Sequence, residues 1–354
     1  MKFVAGVDAH KDTHTIVFLN RTGREVKVLT ISADRRGYMK ALNVARELGG
    51  EVVWGLESTG CYANAFARQL LKSGACVYEV PGSFTKRHRQ QSSRTGKSDA
   101  LDAQAIAEAV LRESHRLPRY EIAVEREALR IRYDQRDRLA SQRTECINRV
   151  RAAAVRLELN LPSCLRSEKG LYEVQRLIKA VKGDLVAQSL VDEVRYAIED
   201  IQQLNDRIAE IEDLLRPLIS RLAPELLAMR GVSTVTAAGL IGHAGNLKNC
   251  RNADAFAMRA GTAPVSCSSG KHSAVRVNLG GNRKLNSLLH SIAIHQIRAD
   301  EHPSRVYYER KRGEGKTQRA ALRALKRRLS VVVYYRLLCV TARYIPKGGH
   351  RAAA

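Results

Sequence analysis

Apolar and polar positions alternate along the first third of the chain in short runs. "FVAGVDAH" (3–10) is an apolar run that stops at Asp8, and "HTIVFLN" and "EVKVLTI" follow it across the turn "RTGR". These three runs predict a meander of strands. "RRGYMKALNVARELGG" has helical spacing and a glycine stop. "EVVWGLE" reads as a buried strand ending at Glu57, "YANAFARQLLKSG" as a helix with a glycine C-cap, and "ACVYEVP" as another strand. In "GKSDALDAQAIAEAV" (96–110), Ser98 is placed to cap a helix. The order is three strands, helix, strand, helix, strand, helix, which is an α/β pattern.

From Ala123 to Leu159 the chain predicts a charged helix with a weak apolar stripe (Leu139, Cys146, Val150, Ala153, Leu157), broken by "NLPSC". A second long helix is expected over 191–216. Its apolar residues Val194, Ile201, Leu204, Ile208, Ile211 and Leu215 fall at 3/4 spacings, a coiled-coil seam. The remainder of this helix is acidic, and the seam calls for a partner helix in this chain or another subunit. "PELLAMRGVSTVTAAGLIGHAG" predicts two helices about a turn, resembling a helix-hairpin-helix whose amides hold a phosphate. Residues 262–298 read as a Gly/Ser-rich loop between helical segments, and "KTQRAALRALKRRLSVVVYYRLL" as an amphipathic helix with one basic face. The expected division is 1–118 (α/β), 119–222 (helical, coiled coil) and 223–354 (mostly helical).

Charge narrows the partners. Of 354 residues, 60 are Lys or Arg and 36 Asp or Glu, a net charge of +24 that suits nucleic acid. No apolar run approaches the ~20 residues of a membrane span, so no membrane partner is expected. Seven scattered cysteines with no CxxC pair suggest free thiols in the cytoplasm. Aromatic residues make up only 5 %, which argues against base stacking as the main mode of binding. Basic groups concentrate in "TKRHRQQSSRTGK" (Lys86, Arg87, Arg89, Arg94, Lys97), at Lys271, at Arg283 and Lys284, and in the clusters Arg310–Lys311–Arg312 and Lys326–Arg327–Arg328. These are the expected nucleic-acid contacts.

Asp8 and Glu57 end the first and fourth strands, and Asp99 and Asp102 share one face of a helix. In a ribonuclease-H-like fold those two strands are neighbours and the helix packs across them, so the four acids would converge. Such carboxylates stay ionised together only around a cation. Mg²⁺ suits oxygen ligands, and two such ions ~4 Å apart can stabilise the attacking and leaving oxygens of a phosphodiester. In "DAHKDTH" we expect only Asp8 to face this site, with His10, Asp12 and His14 belonging to the strand connection.

"GVDAHKDTH", "GLESTG", "GKSDALDAQAIA" and "GTAPVSCSSGKH…GGNRKLNSLLH" together resemble transposases of the insertion-sequence-110 family. The resemblance spans nearly the whole chain and implies a RuvC-like Asp-Glu-Asp-Asp domain followed by a helical transposase domain. It further implies a recombinase guided by a bridge RNA, acting on double-stranded DNA as a tetramer through a covalent phosphoserine. Carried over, Asp8, Glu57, Asp99 and Asp102 match the acids. The serine matches Ser269, followed by Gly270, although Ser266 and Ser268 stand close by. Two other readings fit the residues: a RuvC-like nuclease that hydrolyses with water, and a non-catalytic nucleic-acid-binding protein.

Overall fold

The computed structural model describes residues 3–57, 62–82, 85, 98–247, 250–269 and 272–344. The chain divides into two compact units, Met1–Ile122 and Ala123–Ala354.

The first unit is built on β1 (Phe3–Ala9), β2 (Thr13–Asn20), β3 (Glu25–Ser32), β4 (Val52–Leu56) and β5 (Cys76–Glu79). Their order is β3-β2-β1-β4-β5, with β2 antiparallel to both neighbours and β1, β4 and β5 mutually parallel. This is the ribonuclease-H-like arrangement that the element order predicts. β4 lies between parallel neighbours and is buried at every position, as its unbroken apolar run requires. Helices α1 (Arg35–Glu47) and α2 (Asn64–Lys72) cover one face, where Phe18, Tyr38, Trp54 and Phe66 pack. Helix α3 (Asp99–Glu113) covers the other, against Val4, Val17, Leu19 and Val53.

In the second unit α4 (Val124–Arg156) and α6 (Leu185–Leu222) run antiparallel, joined by Arg136–Glu212, Arg143–Asn205 and Arg149–Asp200. The seam of α6 is consumed within the chain. Val194, Ile201 and Leu204 pack with Cys146 and Val150 of α4 and with Leu171 and Val174 of α5 (Glu168–Lys179). Helix α5 was not anticipated; its N-cap Ser167 accepts from the Gly170 amide. The final turns of α6 (Leu215, Ile219, Leu222) enter a core shared with α7 (Pro224–Leu227), α8 (Thr234–Ala244), α10 (Arg283–Ile297) and α12 (Gln318–Tyr344). The expected boundary at residue 222 therefore falls inside one core. Helix α9 (Ala253–Arg259) and α11 (Pro303–Gly313) complete the unit.

Two local expectations are corrected. The first helix of the helix-hairpin-helix is a single turn, and at the start of α8 the Thr236 amide donates to the helix's own cap, Ser233. The Gly/Ser-rich stretch is not a loop throughout: β6 (Val265–Ser269) and β7 (His272–Arg276) form an antiparallel ladder, with Ser269 opposite His272. Among the described residues no helix is long and apolar enough to cross a membrane.

Candidate metal centre

Asp8 is the last-but-one residue of β1, on the sheet face that α3 covers. That face is approached unusually closely. A Cβ at Gly6 would lie 2.0 Å from the Ala103 carbonyl oxygen and 2.3 Å from the Ala107 amide nitrogen. Only glycine lets α3 settle onto β1, and this seating carries the start of α3 to the end of the strand. Ser98 caps the helix by accepting from the Leu101 amide. Asp99 and Asp102 then occupy its first turn, where the helix dipole favours carboxylates.

The resulting cluster is compact. Single ligand atoms of Asp8, His10 and Asp99 all lie within 4.8 Å of one another. His10 Nε2 is 3.2 Å from Asp8 Oδ2 and 3.4 Å from Asp99 Oδ1. Burial pushes the Asp8 carboxyl above its ordinary value; His10 opposes this, while Asp102 and Asp99 add to it. Asp102 therefore acts on Asp8 electrostatically from one turn along the helix.

Glu57 stands one residue beyond Leu56, the partner of Val7 in the β1–β4 register, at the same end of the sheet as Asp8. Its carboxylate accepts a hydrogen bond from Thr85 Oγ1 at 3.0 Å and packs against Gly82, outside the three-residue cluster. The structure thus brings Asp8 and Asp99 together, with Asp102 near enough to act on Asp8, and adds His10, which the sequence pattern assigns to the strand connection. The signal was there, because residues two apart in extended chain share a face. His14, by contrast, is fully buried against Tyr38 and Phe66. Two carboxylates and an imidazole, with a third carboxylate nearby, form a donor set that fits a divalent cation. Asp8, His10 and Asp99 would hold it, with Asp102 adding negative charge.

The basic segment Lys86, Arg87, Arg89, Arg94 and Lys97 lies outside the described residues, as does Lys271. Ser269 is placed by its backbone at the end of β6. Of the remaining basic residues, Lys284 pairs with Asp137, Lys311 with Glu314 (2.6 Å) and Arg327 with Asp254. Arg310 also faces Glu314, at 3.8 Å, and Arg312 donates to the Lys316 carbonyl. Arg283 is exposed at the start of α10, whose Asn282 cap accepts from the Lys284 and Leu285 amides. Arg328 lies 4.9 Å from the centre of the Tyr307 ring, and Lys326 donates to Asn286.

Comparison with known proteins gives a consistent set of relatives. Residues 5–157 match the transposase family DEDD_Tnp_IS110, and residues 223–309 match the family described as Transposase IS116/IS110/IS902. The chain is 30 % identical to the "Insertion element IS900 uncharacterized 42 kDa protein" of Mycobacterium paratuberculosis, over 93 % of this chain and 94 % of the relative. It is 25 % identical to the "Transposase for insertion sequence element IS1111A" of Coxiella burnetii, over 84 % of this chain and 77 % of the relative. Among solved structures, Thermus thermophilus RuvC in complex with a Holliday junction substrate aligns over 34 % of this chain and 100 % of its own. Identity there is 13 % and the TM-score 0.28, so kinship rests on the sequence relatives.

Proposed function

Because the chain belongs to the IS110 family of transposases, we propose that it moves its own insertion sequence by cutting and rejoining double-stranded DNA through a covalent phosphoserine. The observation that carries this reading is the convergence of Asp8, His10 and Asp99 at one end of the sheet, with Asp102 acting on Asp8. A bound divalent cation, which we take to be Mg²⁺, would supply Lewis-acid stabilisation of charge at the scissile phosphate.

The chain's own groups do the rest. Asp8, Asp99 and Asp102, together with Glu57, form the acid set, and the Thr85 hydroxyl fixes the Glu57 carboxylate. Ser269 is the nucleophile. Its Oγ forms a new ester bond to phosphorus, one bridging P–O bond breaks, and the hydroxyl proton leaves while the departing DNA oxygen gains one. One phosphodiester replaces another, so the step needs no nucleotide hydrolysis. A bridge RNA selects the sites, the basic residues carry both nucleic acids, and a tetramer in the bacterial cytoplasm is the working assembly.

The test is to incubate the protein with element-end DNA, its RNA and Mg²⁺, denature it, and map DNA-linked peptides by mass spectrometry. We expect an adduct on Ser269 that disappears in Ser269→Ala and in Asp102→Asn. Nicked DNA without an adduct, persisting in Ser269→Ala, would establish hydrolysis by water instead. Unchanged strand exchange in Asp102→Asn would remove the acids from catalysis, and full activity after RNase treatment would remove the RNA.

A further inference from the structure

The second unit holds a cavity of about 1050 Å³ between α11, α12, the start of α10 and the root of the β6–β7 hairpin. Six cations line it (Arg276, Lys316, Arg323, Lys326, Arg327 and Arg328), and among the described residues no carboxylate belongs to its wall. Arg327 reaches a carboxylate outside the wall, that of Asp254. Among the described residues Lys326 has a neutral partner: its Nζ donates to Asn286 Oδ1 at 2.6 Å, while the amide nitrogen of Asn286 donates to the Ala260 and Gly261 carbonyls. Burial, and secondarily Arg323, hold the Lys326 ammonium below its ordinary pKa. Tyr307 serves as a support for cations, with the guanidinium groups of Arg328 and Arg310 at 4.9 and 5.2 Å from its ring centre. Like charges gathered around one cavity repel one another, and the half-buried Lys326 keeps its desolvation cost until an anion arrives.

The walls say which anion. Pro303, Val331 and Val332 add apolar surface between the cations, which suits a sugar or base attached to the phosphate. The volume stands at the upper end of the ~300–1,000 Å³ typical of sites that enclose a small ligand. That is room for one or two nucleotides and not for the flank of a duplex. Six cations exceed what a single nucleotide monophosphate needs, whereas consecutive phosphates of a strand would use them.

We propose that this cavity seats a short single-stranded run of nucleic acid by its phosphodiester backbone. The next point rests on the reading of Ser269 above. Arg276 pairs with Val265 at the hairpin root, and Ser269 lies four residues further along β6. At ~3.4 Å per residue the serine is ~14 Å from the cavity. That places the serine within a few nucleotides of the cavity along a single strand. The cavity therefore grips phosphates that flank the reacting one, and its residues position the strand.

The experiment uses the full-length protein and eight-nucleotide single strands of mixed sequence, as DNA and as RNA, followed by fluorescence anisotropy across a salt series. Arg276 and Arg323 are exposed, so Arg276→Gln/Arg323→Gln should fold. We expect roughly tenfold weaker binding at physiological salt. The slope of log K against log salt should fall by about 1.4, since each lost phosphate contact on a single strand removes ~0.7. Lys326→Met, with its fold verified by circular dichroism, should weaken binding similarly. The control Arg298→Gln/Arg319→Gln removes equal charge outside the cavity and should change the slope by less than half as much. Whichever polymer loses more affinity in the cavity variant identifies the natural strand. An equal loss in the control, competition by AMP as effective as by the octamer, or tighter binding of an eight-base-pair duplex would each overturn the proposal. If the Ser269 adduct forms but the cavity variants bind normally, this inference alone fails. If they lose binding and no adduct exists on any serine, the cavity stands and the phosphoserine reading falls.

Discussion

At the end of β1, Asp8 and Asp99 crowd around His10, with Asp102 a turn further along the helix. In the second unit six cations share one cavity that has no carboxylate on its wall among the described residues. The two groups are opposite in sign and differ in how they are held. The acids sit on short side chains whose positions follow from strand register and from backbone-to-backbone approach at Gly6. The cations sit at the ends of long side chains, two of them propped, Arg328 on the Tyr307 ring and Lys326 on a neutral amide. Short rigid arms suit a ligand of fixed coordination geometry such as a divalent cation. Long arms suit a strand whose phosphates arrive at varied positions.

The contrast is broken most severely at Gly6. An alanine there places its Cβ against the backbone of Ala103 and Ala107, which cannot yield without moving α3. Gly6→Ala should destabilise the first unit by about 1–3 kcal/mol or more and abolish divalent-cation binding and DNA joining together. Single-strand binding by the second unit should survive. Trp54 is the only tryptophan and is buried in the first unit, so its fluorescence reports that unit's unfolding selectively. A Gly6→Ala protein with an unchanged Trp54 transition and unchanged cation affinity would show that the close approach is not what seats the acids.

A milder perturbation uses ligands. At a hundredfold excess over Kd a ligand stabilises the state it binds by ~2.7 kcal/mol. Hydrogen exchange should show Mg²⁺ slowing exchange in β1 and α3, and a short single strand slowing it in α10–α12. If both ligands protect both units alike, the division of charge between the units has no bearing on binding.

The first unit was legible because its strands are short, β-branched and bounded by turns, and because an all-apolar run such as "VVWGL" predicts a central parallel strand. The Ser98 cap and the Asp99–Asp102 pair followed from local rules. The hairpin over 265–276 was hidden by its composition. Ser, Cys, Gly and His carry little β propensity, and pairing across the ladder decides their conformation. His10 escaped because its role depends on Asp99, 89 positions further along the chain. The basic cavity is beyond any local reading, since its wall draws on residues from 261 to 332.

The smallest expected effect separates two histidines, the buried His14 in the first unit and the half-buried His243 in the second. Burial lowers the pKa of both His14 and His243. For each, the unfolded chain takes up a proton more readily than the fold does. Stability is therefore complete above the ordinary histidine value of ~6.5 and is lost as pH falls through the lowered folded value. The surroundings differ. His14 donates through Nδ1 to the Thr13 carbonyl, and its buried Nε2 has no partner among the described residues. His243 Nε2 lies 2.9 Å from Asp134 Oδ1, a carboxylate that favours the protonated ring. Protonation should thus harm the first unit more than the second. His14→Phe keeps a ring against Tyr38 and should flatten the fall in the Trp54 transition between pH 7 and pH 5. His243→Gln should change the pH dependence of exchange protection in α4 and α8 by a smaller margin. Equal effects in the two variants would mean that Asp134 does nothing to offset the burial of His243, and that the two interiors meet a buried proton in the same way.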